Sequence, residues 1–201
     1  RSVSRGLGDV YKRQILVCVK SVLIEIKLSE VYNIRMKYME GINMKKDKTV
    51  RLSGILPESL VNGPGIRRVF FAQGCLHNCK GCFNSETHDF NGGEEFDMDK
   101  LIDEVKVNPM LKGVTFSGGD PWEQADKFAY MAKQFKDHGL NVWCYTGYSY
   151  EYILDHMDKR EGWRELLNNI DVLVDGKFDE TKKIEGLKFK GSSNQRIIDI
   201  K

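Results

Sequence analysis

Apolar and polar positions along this chain follow two rhythms, and from Met44 onward the two take turns. The run IRRVFFA (66–72) is rich in β-formers and leads directly into a cysteine-dense loop. After the loop NGGEEF, apolar spacing predicts a helix over 98–107, with Asp97 or Asp99 suited to its N-terminus. GVTFSGGDP reads as a short strand ending in a glycine turn. In the segment that follows, Phe128, Met131, Ala132 and Phe135 recur at helical spacing until Gly139 closes the helix. LNVWCYTGY is the next strand and turn, SYEYILDHM and GWRELLNN are helical, IDVLVDGKF is a strand, and GSSNQRIIDI is a turn and a last strand. Strand and helix in alternation imply parallel pairing with right-handed crossovers. The fold class expected is therefore α/β, and about 158 residues from Met44 fall short of a full eight-fold barrel, so a single-domain partial (β/α) barrel with mostly parallel strands is predicted. Functional loops in such sheets gather at the C-terminal strand ends, here QGC, SGGDP, YTGY and VDGKF.

Composition narrows the class. Of 201 residues, 41% are hydrophobic and 30% charged, which describes a soluble globular protein, and the longest early apolar run, ILVCV, is cut off by Lys20. No stretch approaches the roughly 20 apolar residues of a membrane span. Five cysteines, three of them clustered, do not form a disulfide framework and point to a reducing cytoplasm. The net charge of +2 hides a split, since residues 1–43 hold eight Lys/Arg against four Asp/Glu and the remainder 23 against 25. The main body thus lacks the basic footprint of nucleic-acid binding. Residues 1–43 show no apolar periodicity at their start and resemble translated adapter sequence, and MEGINM is compatible with a ribosome-binding sequence read through in frame. Residues 1–43 are expected to be a non-native or disordered leader, with Met44 the native start and 44–201 the functional domain; a genuine N-terminal extension is the alternative.

The chemistry concentrates in GCLHNCKGCFN, where Cys75, Cys79 and Cys82 stand at C-x3-C-x2-C spacing with no fourth cysteine nearby. An iron–sulfur cube takes four thiolates when closed, so three leave one iron open to a ligand that is not protein. Catalytic zinc sites differ from structural ones by the same logic. A zinc site completed by His77 or His88 is the bland alternative. His77 is expected to face outward from its loop, and Cys144, in an apolar strand, to be a small buried hydrophobe.

C-x3-C-x2-C followed by Phe83 resembles the signature of the radical S-adenosylmethionine (SAM) superfamily, and SGGDP (117–121) resembles its glycine turn. In finer detail, NGPGIR, SGGDP, YTGY, VDGKF and GSSNQRIIDI occur in the order found in the activating enzymes of anaerobic (class III) ribonucleotide reductase, a resemblance covering nearly all of residues 62–200. It departs at position 59, where the family often has an acidic residue and this chain has Ser59, with Glu58 adjacent. The resemblance implies a [4Fe-4S] cluster on Cys75, Cys79 and Cys82, and SAM held near Gly81, Cys82, Phe83, Gly118 and Gly119. Asp120, Asp175 and Lys177 are further candidates at the strand ends; a turn or helix cap before Trp122 is the alternative for Asp120, and a solvated turn for the other two. It also implies reductive cleavage of SAM with an electron from an unidentified one-electron donor, a glycyl radical formed on anaerobic ribonucleoside-triphosphate reductase as protein partner, and no acid–base side chain as catalyst. An activase of another glycyl-radical enzyme, a zinc-bound interaction module and a plain electron carrier are the rival readings.

Overall fold

The computed structural model describes residues 48–200, so the expected leader, with Cys18, lies outside the described residues. The described residues form seven strands: β1 (Thr49–Ser59), β2 (Arg67–Ala72), β3 (Glu94–Asp97), β4 (Gly113–Gly118), β5 (Asn141–Tyr145), β6 (Val172–Asp175) and β7 (Arg196–Asp199). Four helices join them: α1 (Met98–Lys106), α2 (Ala125–Asp137), α3 (Tyr150–His156) and α4 (Trp163–Asn169). All strands form a single sheet in the order β3-β1-β2-β4-β5-β6-β7. The central pairs β2–β4, β4–β5 and β5–β6 are parallel. β1, β3 and β7 pair antiparallel at the flanks. Among the described residues no strand pairs beyond β3 or β7, in keeping with the partial barrel expected.

Local chemistry sets the element ends. The Asp97 carboxylate accepts from the N–H groups of Asp99 and Lys100 at 2.9 and 3.2 Å, capping α1. After α2, Gly139 adopts φ +81° while the N–H of Leu140 returns to the carbonyl of Phe135 at 3.0 Å, a Schellman ending that requires a residue tolerant of the left-handed region.

Because strand side chains alternate in direction, register places whole rows on one face. Phe70, Phe116, Cys144 and Leu173 align across β2, β4, β5 and β6 and face the helices. There Phe70 stacks on Phe135 at 5.9 Å and Phe116 meets Phe128 edge-on at 4.8 Å, closing the main core. The opposite row runs Val69, Thr115, Trp143 and Val172. Arg67 lies on this second face, fully buried, with Nε donating to Thr115 Oγ1 at 2.8 Å and Nη2 to the carbonyls of Val114 and Asn141. Burial among these neutral acceptors pushes its guanidinium down to about 10. The turn over residues 62–65 wraps this side chain: a Cβ on Gly63 would come within 2.8 Å of it. Ser59 braces the start of this turn, its hydroxyl donating to Asn62 Oδ1 at 2.7 Å and accepting from the N–H of Val61 at 3.2 Å. The second face is thereby closed at the N-terminal strand ends. Among the described residues no helix is long and apolar enough to cross a membrane.

Candidate functional site

At the C-terminal ends of the parallel strands the second face opens into a cavity of about 520 Å³. Cys75, Cys79 and Cys82 border it together with Phe83, Gly118 and Gly119, and Tyr145, Thr146, Gly147, Gly176 and Gln195 complete much of its rim. The strand ends named from the sequence therefore do meet around one cavity.

The cysteine loop leaves β2 through Gln73 and Gly74. Gln73 is buried, and its side-chain amide donates to the carbonyls of Glu86 and Asp89 at 3.3 and 2.5 Å. The N–H groups of Gly74 and Cys75 donate to the carbonyls of Thr87 and His88 at 2.8 and 3.3 Å. The returning segment thus grips the loop at its base. Gly118 and Gly119 let two backbones touch. The N–H of Gly119 donates to the Ala72 carbonyl and that of Asp120 to the Gly74 carbonyl, both at 2.8 Å. A Cβ at Gly118 would lie 2.6 Å from the Ala72 nitrogen, and one at Gly119 only 2.4 Å from the Gly74 oxygen. This close approach binds the ends of β2 and β4 together.

Asp120 sits beneath this crossing, fully buried and outside the cavity lining. One carboxylate oxygen accepts from the Trp122 N–H at 3.0 Å, the cap anticipated as its alternative role. The other accepts from Thr146 Oγ1 at 2.9 Å and the Gly147 N–H at 3.0 Å, and lies 2.7 Å from His77 Nε2. The expectation that His77 faces outward is corrected: its side chain is 7% exposed, and the ring meets Tyr148 edge-on at 4.4 Å. The hydrogen-bonding capacity of Asp120 and the missing side chain of Gly147 draw it inward.

Asp175 is likewise buried, accepting from the Tyr150 N–H at 2.8 Å and from the Arg196 guanidinium, which also forks onto both oxygens of Glu151. Arg196 holds the Glu151 carboxyl down to about 2. The Lys177 side chain is outside the cavity lining, and its carbonyl accepts from Asn194 Nδ2 at 2.8 Å. Gln195 bridges the Gly176 carbonyl to the N–H groups of Gly191 and Ser192. Phe83 is 59% exposed, packs on Phe178 at 4.8 Å and lies under the Lys183 ammonium. Gly81, at φ +71°, lies outside the lining against Glu180. Cys144 is fully buried, as expected.

The sulfur of Cys82 accepts from the backbone N–H of Asn84 at 3.4 Å. Burial pushes the Cys75 thiol up to about 11 and also raises that of Cys79, where the Lys177 ammonium acts in the opposite sense. Metal binding at these groups must therefore displace protons. A single ion would need its ligands to converge on one point, and among the described residues no three His, Cys, Asp or Glu side chains do so. A cube takes each thiolate on a different iron, so three soft donors bordering one cavity fit it.

Sequence reasoning passed over Gln73, Asn84 and His77 as functional supports. The GSSNQR motif did signal Gln195, without its part in bridging β6 to the final loop.

Residues 61–198 match the family described as 4Fe-4S single cluster domain. An anaerobic ribonucleoside-triphosphate reductase-activating protein from Vibrio cholerae is 37% identical over 149 residues, 70% of this chain and 92% of that protein. Proteins of the same name from Salmonella typhi and Escherichia coli are 36% and 33% identical over 153 residues, each comparison spanning 72% of this chain and 96% of the relative. A structural likeness to QueE from Escherichia coli covers 50% of this chain and 54% of that one at 12% identity and a TM-score of 0.40, too slight to bear on function. The cysteine spacing, the cavity it borders and these relatives agree: the chain carries a 4Fe-4S single cluster domain and belongs to the family of anaerobic ribonucleoside-triphosphate reductase-activating proteins.

Proposed function

We propose that this chain is a radical SAM activase that generates a glycyl radical on anaerobic ribonucleoside-triphosphate reductase. The observation that carries the reading is a set of three thiols, and not four, on one loop bordering a cavity at the strand ends. Cys75, Cys79 and Cys82 would hold a [4Fe-4S] cluster, and Phe83, Gly118, Gly119 and the backbone of Gly81 and Cys82 would hold SAM. When bound, cluster and SAM together supply the chemistry: one electron from a donor protein cleaves SAM and starts hydrogen abstraction from a glycine of the reductase.

The chain's own residues position and shield. Asp120 and Asp175 act from below the rim, because the chain's own donors already engage both carboxylates. Lys177 places positive charge toward Cys79. The raised thiols of Cys75 and Cys79 limit thiolate chemistry until iron arrives.

The test is anaerobic reconstitution with iron and sulfide, then EPR spectroscopy of the reduced protein with and without SAM. A reduced-cluster signal that changes with SAM, is absent in Cys79→Ala and is followed by a glycyl doublet on added reductase supports the reading. A protein containing only zinc, or a cluster spectrum indifferent to SAM, refutes it.

A further inference from the structure

Asn84 spans the cysteine loop and the glycine turn. Its backbone N–H donates to Cys82 Sγ and its side-chain Nδ2 donates to the Gly118 carbonyl, both at 3.4 Å. Its own carbonyl accepts from the N–H and the hydroxyl of buried Thr87 at 3.0 and 2.6 Å. These backbone bonds fix Asn84 without using its side chain, which reaches across to the turn. Asn84, Cys82, Gly118 and Gly119 all border the cavity.

The peptide between Gly118 and Gly119 is pinned at both ends. Its N–H donates to the Ala72 carbonyl at 2.8 Å, and its carbonyl accepts from Asn84. Flanked by two glycines, such a peptide can rotate at little torsional cost, and Gly118 already stands at φ +95°. Rotation through half a turn would exchange carbonyl for N–H and convert an acceptor on the cavity wall into a donor.

We propose that Asn84 is a positioning residue: its amide holds the Gly118 carbonyl toward the cavity, where that oxygen receives the ammonium group of SAM. The role rests on the SAM reading above. The Asn84 amide takes one of the two lone pairs of the oxygen and leaves the other for the ligand. A carbonyl whose direction is fixed beforehand needs no ordering when the cation arrives, so more of the charge-assisted bond appears as affinity.

The experiment uses the full chain, reconstituted anaerobically with iron and sulfide and kept oxidised. Equilibrium dialysis compares S-adenosylhomocysteine, which retains the ammonium, with its deamino analogue. Neither carries a sulfonium, so no cleavage intervenes. In Asn84→Ala the first should bind about tenfold more weakly, as expected for one lost hydrogen bond to a charged group, while the second keeps its wild-type affinity. Equal weakening of both, or weakening of neither, overturns the proposal. The cluster-free protein gives a second readout, hydrogen exchange at the Gly119 amide followed by NMR. Asn84→Asp enters here because it keeps the shape of the side chain and removes its donor. Exchange at Gly119 should quicken about fivefold in both variants, while the Asp120 N–H, bonded to the Gly74 carbonyl, keeps its rate. An unaltered Gly119 rate in either variant, or equal acceleration of Gly119 and Asp120, overturns the proposal. Wild-type protein that binds neither compound refutes the SAM reading, and the exchange rates then decide by themselves whether Asn84 holds the turn.

Discussion

Replacing Asp120 by alanine removes the acceptor shared by three strand ends. Four groups lose their partner: the N–H groups of Trp122 and Gly147, the Thr146 hydroxyl and His77 Nε2. The hydroxyl can rotate toward another acceptor, and His77 borders the cavity, where water can reach it. The two backbone donors have no such freedom, and each buried donor left unpaired costs about 1–3 kcal/mol. Their sum, about 2–6 kcal/mol, is a large part of the roughly 5–15 kcal/mol that stabilises a typical domain. With a urea slope of about 2 kcal/mol/M, the unfolding midpoint of the cluster-free protein should fall by about 1–3 M. Asp120→Asn keeps one oxygen, which can stay on the His77 side, and should fall between the two. Far-ultraviolet circular dichroism under anaerobic urea titration measures this directly. A midpoint for Asp120→Ala within about 0.3 M of wild type would sink the argument that this carboxylate ties the strand ends together.

Three other substitutions test separate parts of the structure. Alanine at Cys75, Cys79 or Cys82 should abolish iron and sulfide uptake, whereas Cys144→Ala, in the helix-side core, should retain the cluster and lose only about 1 kcal/mol, read by metal analysis and thermal unfolding. Gly118→Ala combines φ +95° with a methyl group 2.6 Å from the Ala72 nitrogen, and should cost at least about 2 kcal/mol, a melting temperature lower by about 4–8 °C. Arg196 depresses the Glu151 carboxyl to about 2, so its stabilisation is fully present above the unfolded value near 4.5 and is lost as pH falls through 2. Glu151→Gln should therefore flatten the dependence of the urea midpoint on pH between those two values, and an unaltered slope would show that the pair contributes nothing.

The central strands and the helices were legible because each carries its own rhythm. β2, β4, β5 and β6 are short apolar runs closed, at their last residue or within two beyond it, by glycine or an acid, and the Phe128–Phe135 spacing is helical on its face. β1 was not foreseen, since Gly54 and Pro57 interrupt its alternation, and it forms by pairing with β2 and β3. β3 was read as loop: EEFD has one apolar residue, and its charges suit an exposed edge strand. The sulfur ligands and the glycine turn could be read from spacing, which is local. The inward turn of His77 could not, because its cause lies 43 residues away at Asp120. The seven-residue gap between Cys75 and Cys82 says nothing about such a contact.

That separation has a consequence for how the protein is made. All three thiols have been synthesised by the time residue 84 is added, but Asp120 lies 36 residues further on and Thr146 another 26 beyond it. Closing loops of that length is entropically costly and must await β4 and β5. A nascent chain thus exposes its soft ligands while nothing yet fixes their arrangement, and iron captured at that stage meets the donors without the cradle. Cofactor insertion into the finished fold and capture during translation are therefore distinct routes, and only the first finds the ligand loop already anchored.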